Sequence, residues 1–195
     1  MMQTKQRFSN WTVWADGSVI NNGQLSESWS GFGYYIENNE GPYAVGGGFL
    51  KPPSTNNIAE MTAVLVPIAY IYKNYNPSTI TFVSDSQYVV NGMNDWVHKW
   101  QRSNYNNGAI KNRELWEKCY YYLTKVKVQG RWVKGHAQGL HPKNELVDFI
   151  AGHCRKNKLI VQNPISSEVL EQYSAHNSTR CYDKRDSLIE RLLTR

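Results

Sequence analysis

Cysteine is scarce in this chain and carries no pattern: Cys119, Cys154 and Cys181 are scattered, odd in number and without a CxxC spacing. That argues against a disulfide framework or a thiolate zinc site, and it points to a reducing compartment, the cytoplasm. Long apolar runs are missing too. The longest, around Ala63–Tyr72, contains Pro67 and falls well short of the ~20 residues a membrane span needs. The N-terminal MMQTKQRFSN is polar and lacks the apolar stretch of a signal peptide. Acidic residues are the minority, 16 against 22 Lys and Arg, for a net charge of +6. A cationic excess suits a polyanionic partner, because Lys and Arg neutralise phosphates and release their counterions. Many unrelated proteins are mildly basic, so charge alone decides nothing.

What is present supports a folded domain. A hydrophobic fraction of 41 % supplies a core, and 195 residues leave room for one domain plus an extension. Trp11–Ala15 reads as a strand ending in the turn signal Asp16-Gly17-Ser18. After a loop rich in Gly, Asn and Ser, two more strands are expected at Gly31–Glu37 and Tyr43–Phe49, giving an antiparallel meander. Ser54 and Thr55 offer N-caps to a helix from Ile58 to Tyr72, with Glu60 in its first turn. Pro67 should kink that helix, since an interior proline costs ~3 kcal/mol. Then come a strand at Thr79–Ser84, helical segments from Ser86 to Arg102, and a helix at Arg113–Leu123. A strand at Val126–Val133, with a possible irregularity at Gln129-Gly130, leads through a glycine-rich loop to a helix at Pro142–Lys156. The order predicts a mixed α/β domain whose parallel portion is built from right-handed strand–helix–strand crossovers. Sites in such sheets lie at the carboxyl ends of the strands, where Asp16 and Asp85 both fall.

Each candidate acid has an ordinary reading by itself. Aspartate at a strand end is usually a turn former, and glutamate early in a helix favours the helix dipole. Asp148 projects away from the apolar face of its helix (Leu146, Val147, Ile150, Ala151, Cys154), as a solvated residue would. Context changes this. Asp16 lies in ADGS, Glu60 in TNNIAE, Asp85 in SDSQYV and Asp148 in GHAQGLHPKNELVD. These four segments, in this order, resemble type 1 ribonuclease H (RNase HI-like), the family cleaving RNA in RNA–DNA hybrids.

The resemblance covers roughly Ser9–Lys156 and implies a ribonuclease H-like fold, a mixed five-stranded sheet flanked by helices. It implies a catalytic domain over residues 7–158 and an extension of unknown role over 159–195. Two Mg²⁺ ions are implied, with Mn²⁺ as an accepted substitute. Clustered carboxylates repel unless cations share their site, and oxygen donors without Cys or His suit Mg²⁺. Asp16 would bridge both ions, Asp148 would help hold the one that acidifies the attacking water, and Glu60 and Asp85 the one at the departing 3′ oxygen. The products would be a 5′-phosphate and a 3′-hydroxyl. His136 matches a mobile histidine that assists proton transfer or product release, on a loop two residues longer than the common bacterial pattern.

The same resemblance implies contacts to the hybrid. Asn22, Asn56, Asn57 and Gln87, with Gly17 beside Asp16, fall where the family meets the minor groove and its 2′-hydroxyls. Thr55 and Asn112 resemble a pocket for a DNA-strand phosphate, although Pro53 stands where arginine is usual and Lys51 is the nearest replacement. Trp96 and Trp100, one helical turn apart beside Lys99 and Arg102, form an aromatic and basic face able to stack and pair phosphates. It resembles the family's basic protrusion with fewer charges, which implies modest, salt-sensitive affinity. Trp116 is expected in the core.

Two segments depart from the pattern: the longer loop Val19–Ser30, and the tail Leu159–Arg195. In the tail, Leu188, Ile189, Leu192 and Leu193 have amphipathic helical spacing, which fits a helix packed on the domain or a contact to a protein partner or second copy. No N-terminal hybrid-binding module is expected, since the family segment begins within ten residues of Met1. Two rival classes stand beside the nuclease: a catalytically weak hybrid-binding module, which would be marked by a lost acid, and a DNA endonuclease of the same fold. None of the four acids is missing, and TNNIAE and SDSQYV favour RNA.

Overall fold

The computed structural model describes residues 9–20, 28–135, 140–178 and 191–193. Three strands, β1 (Asn10–Val19), β2 (Ser30–Asn38) and β3 (Gly41–Leu50), pair antiparallel in succession. Asp16-Gly17-Ser18 is not a turn. β1 continues through it because β2 supplies ladder partners as far as Val19↔Ser30. Helix α1 (Asn56–Asn74) follows, capped by Thr55, whose Oγ1 accepts from the Ile58 N–H at 3.3 Å. It runs on through Pro67.

Strand β4 (Thr79–Ser84) lies parallel to β1, and β5 (Lys127–Trp132) lies parallel to β4. Between them come α2 (Gln87–Asn91), a π-helical turn (Gly92–Trp96), α3 (Val97–Arg102), α4 (Asn104–Asn107) and α5 (Arg113–Leu123). α4 is a left-handed turn: all four residues have φ near +50°, a region asparagine visits more readily than most residues. The β4–β5 ladder is regular through Gln129-Gly130. Gly130 is there for space, since a Cβ would lie 2.4 Å from the Phe82 ring. Helix α6 (Pro142–Asn157) closes the family segment.

The sheet has six strands where five were expected, in the order β5-β4-β1-β2-β3-β6. The sixth comes from the tail: β6 (Val161–Pro164) pairs antiparallel with β3, covering an edge that would otherwise present open backbone groups. Helix α7 (Ser167–Ser178) follows. The amphipathic stretch expected at Lys184–Leu193 lies outside the described residues except for its last three, of which Leu193 is buried. No helix among the described residues is long and apolar enough to cross a membrane.

Successive strand residues face opposite sides, and here both sides are covered. Val13, Ala15, Ile36 and Phe82 pack with Met61, Val64 and Ile68 of α1 and with Trp116 of α5. On the other face, Trp14, Tyr35, Val45 and Val83 pack with Leu146, Val147 and Ile150 of α6, joined by Ile165, Tyr173 and Leu193 of the tail. The site forms where α1, β1, β4 and α6 come together.

Candidate active site

Asp16 lies two residues beyond Trp14↔Val83, the last β1–β4 pair, and Asp85 directly follows Ser84, the end of β4. Both carboxylates therefore leave the parallel portion of the sheet at the same end. Glu60 comes from α1, in the second turn rather than the first, because the helix starts at Asn56. Its approach depends on Gly17: a Cβ there would stand 2.7 Å from the Glu60 nitrogen and 3.0 Å from Ala59. The missing side chain lets the start of α1 rest against β1.

One carboxylate oxygen each from Asp16, Glu60 and Asp85 lie within 4.8 Å of one another. Asp16 and Glu60 are each only 5 % exposed. Asp148 stands outside this close group, half-buried on α6, yet near enough for its charge to act on Asp16 and Glu60. One turn earlier, Asn144 is buried and its Oδ1 has no hydrogen-bond partner.

This crowding raises proton affinities. Burial pushes the Asp16 carboxyl well above the usual range, helped by the charges of Glu60, Asp85 and Asp148 and opposed by the Gly17 N–H, which donates to Oδ1 at 2.7 Å. Glu60 rises to about 8, again mainly from burial and then from Asp85, while the Asn56 side chain, donating to Oε1 at 3.2 Å, opposes the rise. The Gly17 N–H also opposes the rise, yet Glu60 Oε2 is buried and makes no close hydrogen bond. A buried carboxylate beside two others is unfavourable as an anion unless it takes up a proton or a cation completes the site. The donors are all hard oxygens, so the cluster fits a divalent cation of the oxygen-seeking kind.

The remaining expected site residues are distributed around this centre. Asn57 and Gln87 are exposed in the first turns of α1 and α2, while the Asn56 amide is turned onto Glu60. Thr55 spends its hydroxyl on the α1 cap. Asn112 precedes α5 at φ 59° and donates to the Tyr88 hydroxyl at 3.4 Å, as does the buried Trp116 indole at 3.0 Å. Trp96 and Trp100 are both half-buried, with ring centroids 5.7 Å apart, and Trp100 meets Trp116 edge-on at 5.2 Å. Beside them Lys99 pairs with Asp95 at 2.7 Å. Asn22 and His136 lie outside the described residues.

Three contributors were not foreseen. Gly135 adjoins Asp85, where a Cβ would fall 2.1 Å from Oδ2. Trp132 donates its indole N–H to the Asp85 carbonyl at 2.9 Å. Gly33 lies under α6, where a Cβ would fall 2.3 Å from the Val147 carbonyl. The available signal was an unexplained glycine or aromatic beside a motif; which atom each one faces appears only in three dimensions.

A family model described as RNase H matches residues 9–156. The chain is similar to the ribonuclease H of Campylobacter concisus (strain 13826), 34 % identical over 140 residues, covering 72 % of this chain and 88 % of that protein. It is also similar to the ribonuclease HI of Haemophilus ducreyi (strain 35000HP / ATCC 700724), 31 % identical over 160 residues, covering 80 % and 94 %. Among solved structures it matches LC9-RNase H1, described as a type 1 RNase H with the type 2 active-site motif. There the TM-score is 0.74 at 26 % identity, covering 91 % of this chain and 86 % of that one.

Proposed function

The chain belongs to the RNase H family and is a ribonuclease H, a hydrolase of the RNA strand in RNA–DNA hybrids; we propose that it works with two Mg²⁺ ions held by Asp16, Glu60, Asp85 and Asp148. The observation that carries this reading is the trio of carboxylate oxygens within 4.8 Å, two of them on buried side chains, one of which has an oxygen without a close hydrogen bond. Asp16, on which the charges of Glu60, Asp85 and Asp148 all act, would be shared between the ions. Asp148 would help hold one ion, and Glu60 and Asp85 the other. Mn²⁺ fits the same oxygen donors. When bound, such ions acidify the attacking water and neutralise charge on both sides of an in-line phosphoryl transfer.

The chain's own side chains then do the positioning. Asn56 holds Glu60 by one oxygen and leaves the other without a close hydrogen bond. Gly17 fixes Asp16 through its N–H. Asn57 and Gln87, exposed in the first turns of helices that begin beside Glu60 and Asp85, are available to hydrogen-bond 2′-hydroxyls. Trp96 and Trp100, with Thr55 and Asn112, take the DNA strand, and His136 assists proton transfer or product release. The products are a 5′-phosphate and a 3′-hydroxyl. Buried free thiols at Cys119 and Cys154 suit work in the reducing cytoplasm.

The test is a cleavage assay in Mg²⁺ on labelled RNA–DNA hybrid, double-stranded RNA and double-stranded DNA. The hybrid alone should be cut, on its RNA strand. No cutting of the hybrid would leave a binding module, and cutting of the DNA duplex would point to a DNA endonuclease.

A further inference from the structure

We infer that Trp132 is a positioning residue for the reaction, holding the Asp85 main chain so that its carboxylate keeps a fixed place in the acidic cluster. The inference rests on the reading of Asp85 as a metal-holding acid.

The need arises from where β4 stops. Its last ladder pair with β5 is Ser84↔Trp132, and Val133 donates to the Ser84 carbonyl at 3.1 Å. One residue further, Asp85 lies past the ladder and ahead of α2, in a link of two residues whose second, Ser86, caps that helix. Its carbonyl has no strand partner at that point, and in this exposed position its alternative partner is mobile water. The Trp132 indole N–H supplies it at 2.9 Å. Tryptophan is a donor only and has two side-chain torsions, so one hydrogen bond fixes both the ring and the peptide it meets.

Two neighbours complete the clamp. Ser84 Oγ accepts from the Ser86 N–H at 3.1 Å, holding the far side of the link. Gly135 comes against the carboxylate itself, in the space that a Cβ would close to 2.1 Å from Oδ2. Trp132, the last residue of β5, thus holds Asp85 at its main chain, and Gly135, three residues on, leaves the room its carboxylate occupies. Packing does not account for the tryptophan, since it is 46 % exposed. A second shell that orients a ligand in this way typically governs metal affinity or activity by 10–100-fold.

The experiment compares the full-length protein with Trp132→Phe, and with a variant carrying β-(3-benzothienyl)alanine at position 132, which keeps the ring shape and removes the N–H. Asp85→Asn serves as control. Mg²⁺ affinity is read from thermal stabilisation during a metal titration, alongside kcat, KM for hybrid and the Tm in EDTA. Both Trp132 variants should lose about tenfold in Mg²⁺ affinity and in kcat, with KM and the metal-free Tm unchanged. Unchanged metal affinity and kcat would overturn the inference, as would a loss that tracks a fall in the metal-free Tm. A raised KM with kcat intact would also overturn it, making the ring a surface for substrate instead. If Asp85→Asn still cleaves and binds Mg²⁺, the failure lies in the reading of Asp85.

Discussion

Gly33 is the cross-strand partner of Asp16, and the place of its absent side chain is taken by the carbonyl of Val147, one residue before Asp148. A Cβ at Gly33 would fall 2.3 Å from that oxygen and 2.8 Å from the Ala151 nitrogen. The glycine therefore sets how closely α6 lies on the sheet, and with it how near Asp148 comes to Asp16.

Gly33→Ala should push α6 outward. The backbone it meets has no rotamer to give, so overpacking costs about 1–3 kcal/mol. Urea denaturation should show a lower midpoint at unchanged slope. Cleavage at saturating Mg²⁺ should fall further than the folded fraction accounts for, because the helix that moves carries an acid of the site. A variant of wild-type stability and rate would show that α6 is not set by this contact.

Asp16→Asn should abolish cleavage while the protein still binds hybrid. Metal ions held on these acids would contribute several kcal/mol of charge stabilisation in the transition state, and at about 1.4 kcal/mol per factor of ten the loss should be on the order of a hundredfold or more. In EDTA the same variant should melt higher than wild type, since a buried charge crowded by three others has been removed. Retained cleavage would refute the central role given to Asp16.

Glu60 gives the metal-free protein an inverted acid response. Its folded proton affinity is raised from an ordinary 4.5 to about 8, and Asp16 moves in the same direction. Below pH 4.5 both states hold the proton and no penalty applies. Between 4.5 and about 8 the unfolded chain releases a proton that the folded chain retains, so stability falls as pH rises. Melting in EDTA at pH 5 and pH 8 should therefore show a drop of several degrees at the higher pH. Mg²⁺, by sharing the charge, should restore more at pH 8 than at pH 5. Equal metal stabilisation at both values would argue against ions seated on these acids.

Tyr173→Ala tests whether the tail is part of the domain. The side chain is fully buried among Trp14, Tyr35 and Val45 and their neighbours, and removing a large buried aromatic costs about 3 kcal/mol. The denaturation midpoint should fall accordingly in one cooperative transition, with activity below that midpoint little changed because Tyr173 belongs to no part of the site. An unfolding free energy within about 0.5 kcal/mol of wild type would mean that the tail is a surface appendage.

Much of the site was legible in the linear chain, for a physical reason. Asp16 and Asp85 follow strand runs that sequence periodicity marks, Glu60 and Asp148 sit on helices with readable apolar faces, and their flanking motifs fix the order. Helical phase puts Asp148 off its helix's core face, and it is half-buried there. Local pattern failed where a partner strand or a close approach decided the outcome. Asp16-Gly17-Ser18 has the composition of a turn, but ladder partners in β2 hold it extended. Val161–Pro164 is too short and polar to announce a strand, and it becomes one because β3 offers an unfilled edge.

The sequence by itself determined the chemistry: four acids, hard-oxygen donors and a sheet that delivers two of them at strand ends. The element order follows from periods of two and 3.6, which act over a few residues, while the four acids stand out by flanking motifs that resemble those of type 1 ribonuclease H. The tertiary structure alone decided how tightly the acids gather, with three within 4.8 Å and Asp148 further out, and which neighbours hold them there. Gly17, Gly33, Gly135 and Trp132 act through contacts between residues distant in the chain, and no local period encodes such distances.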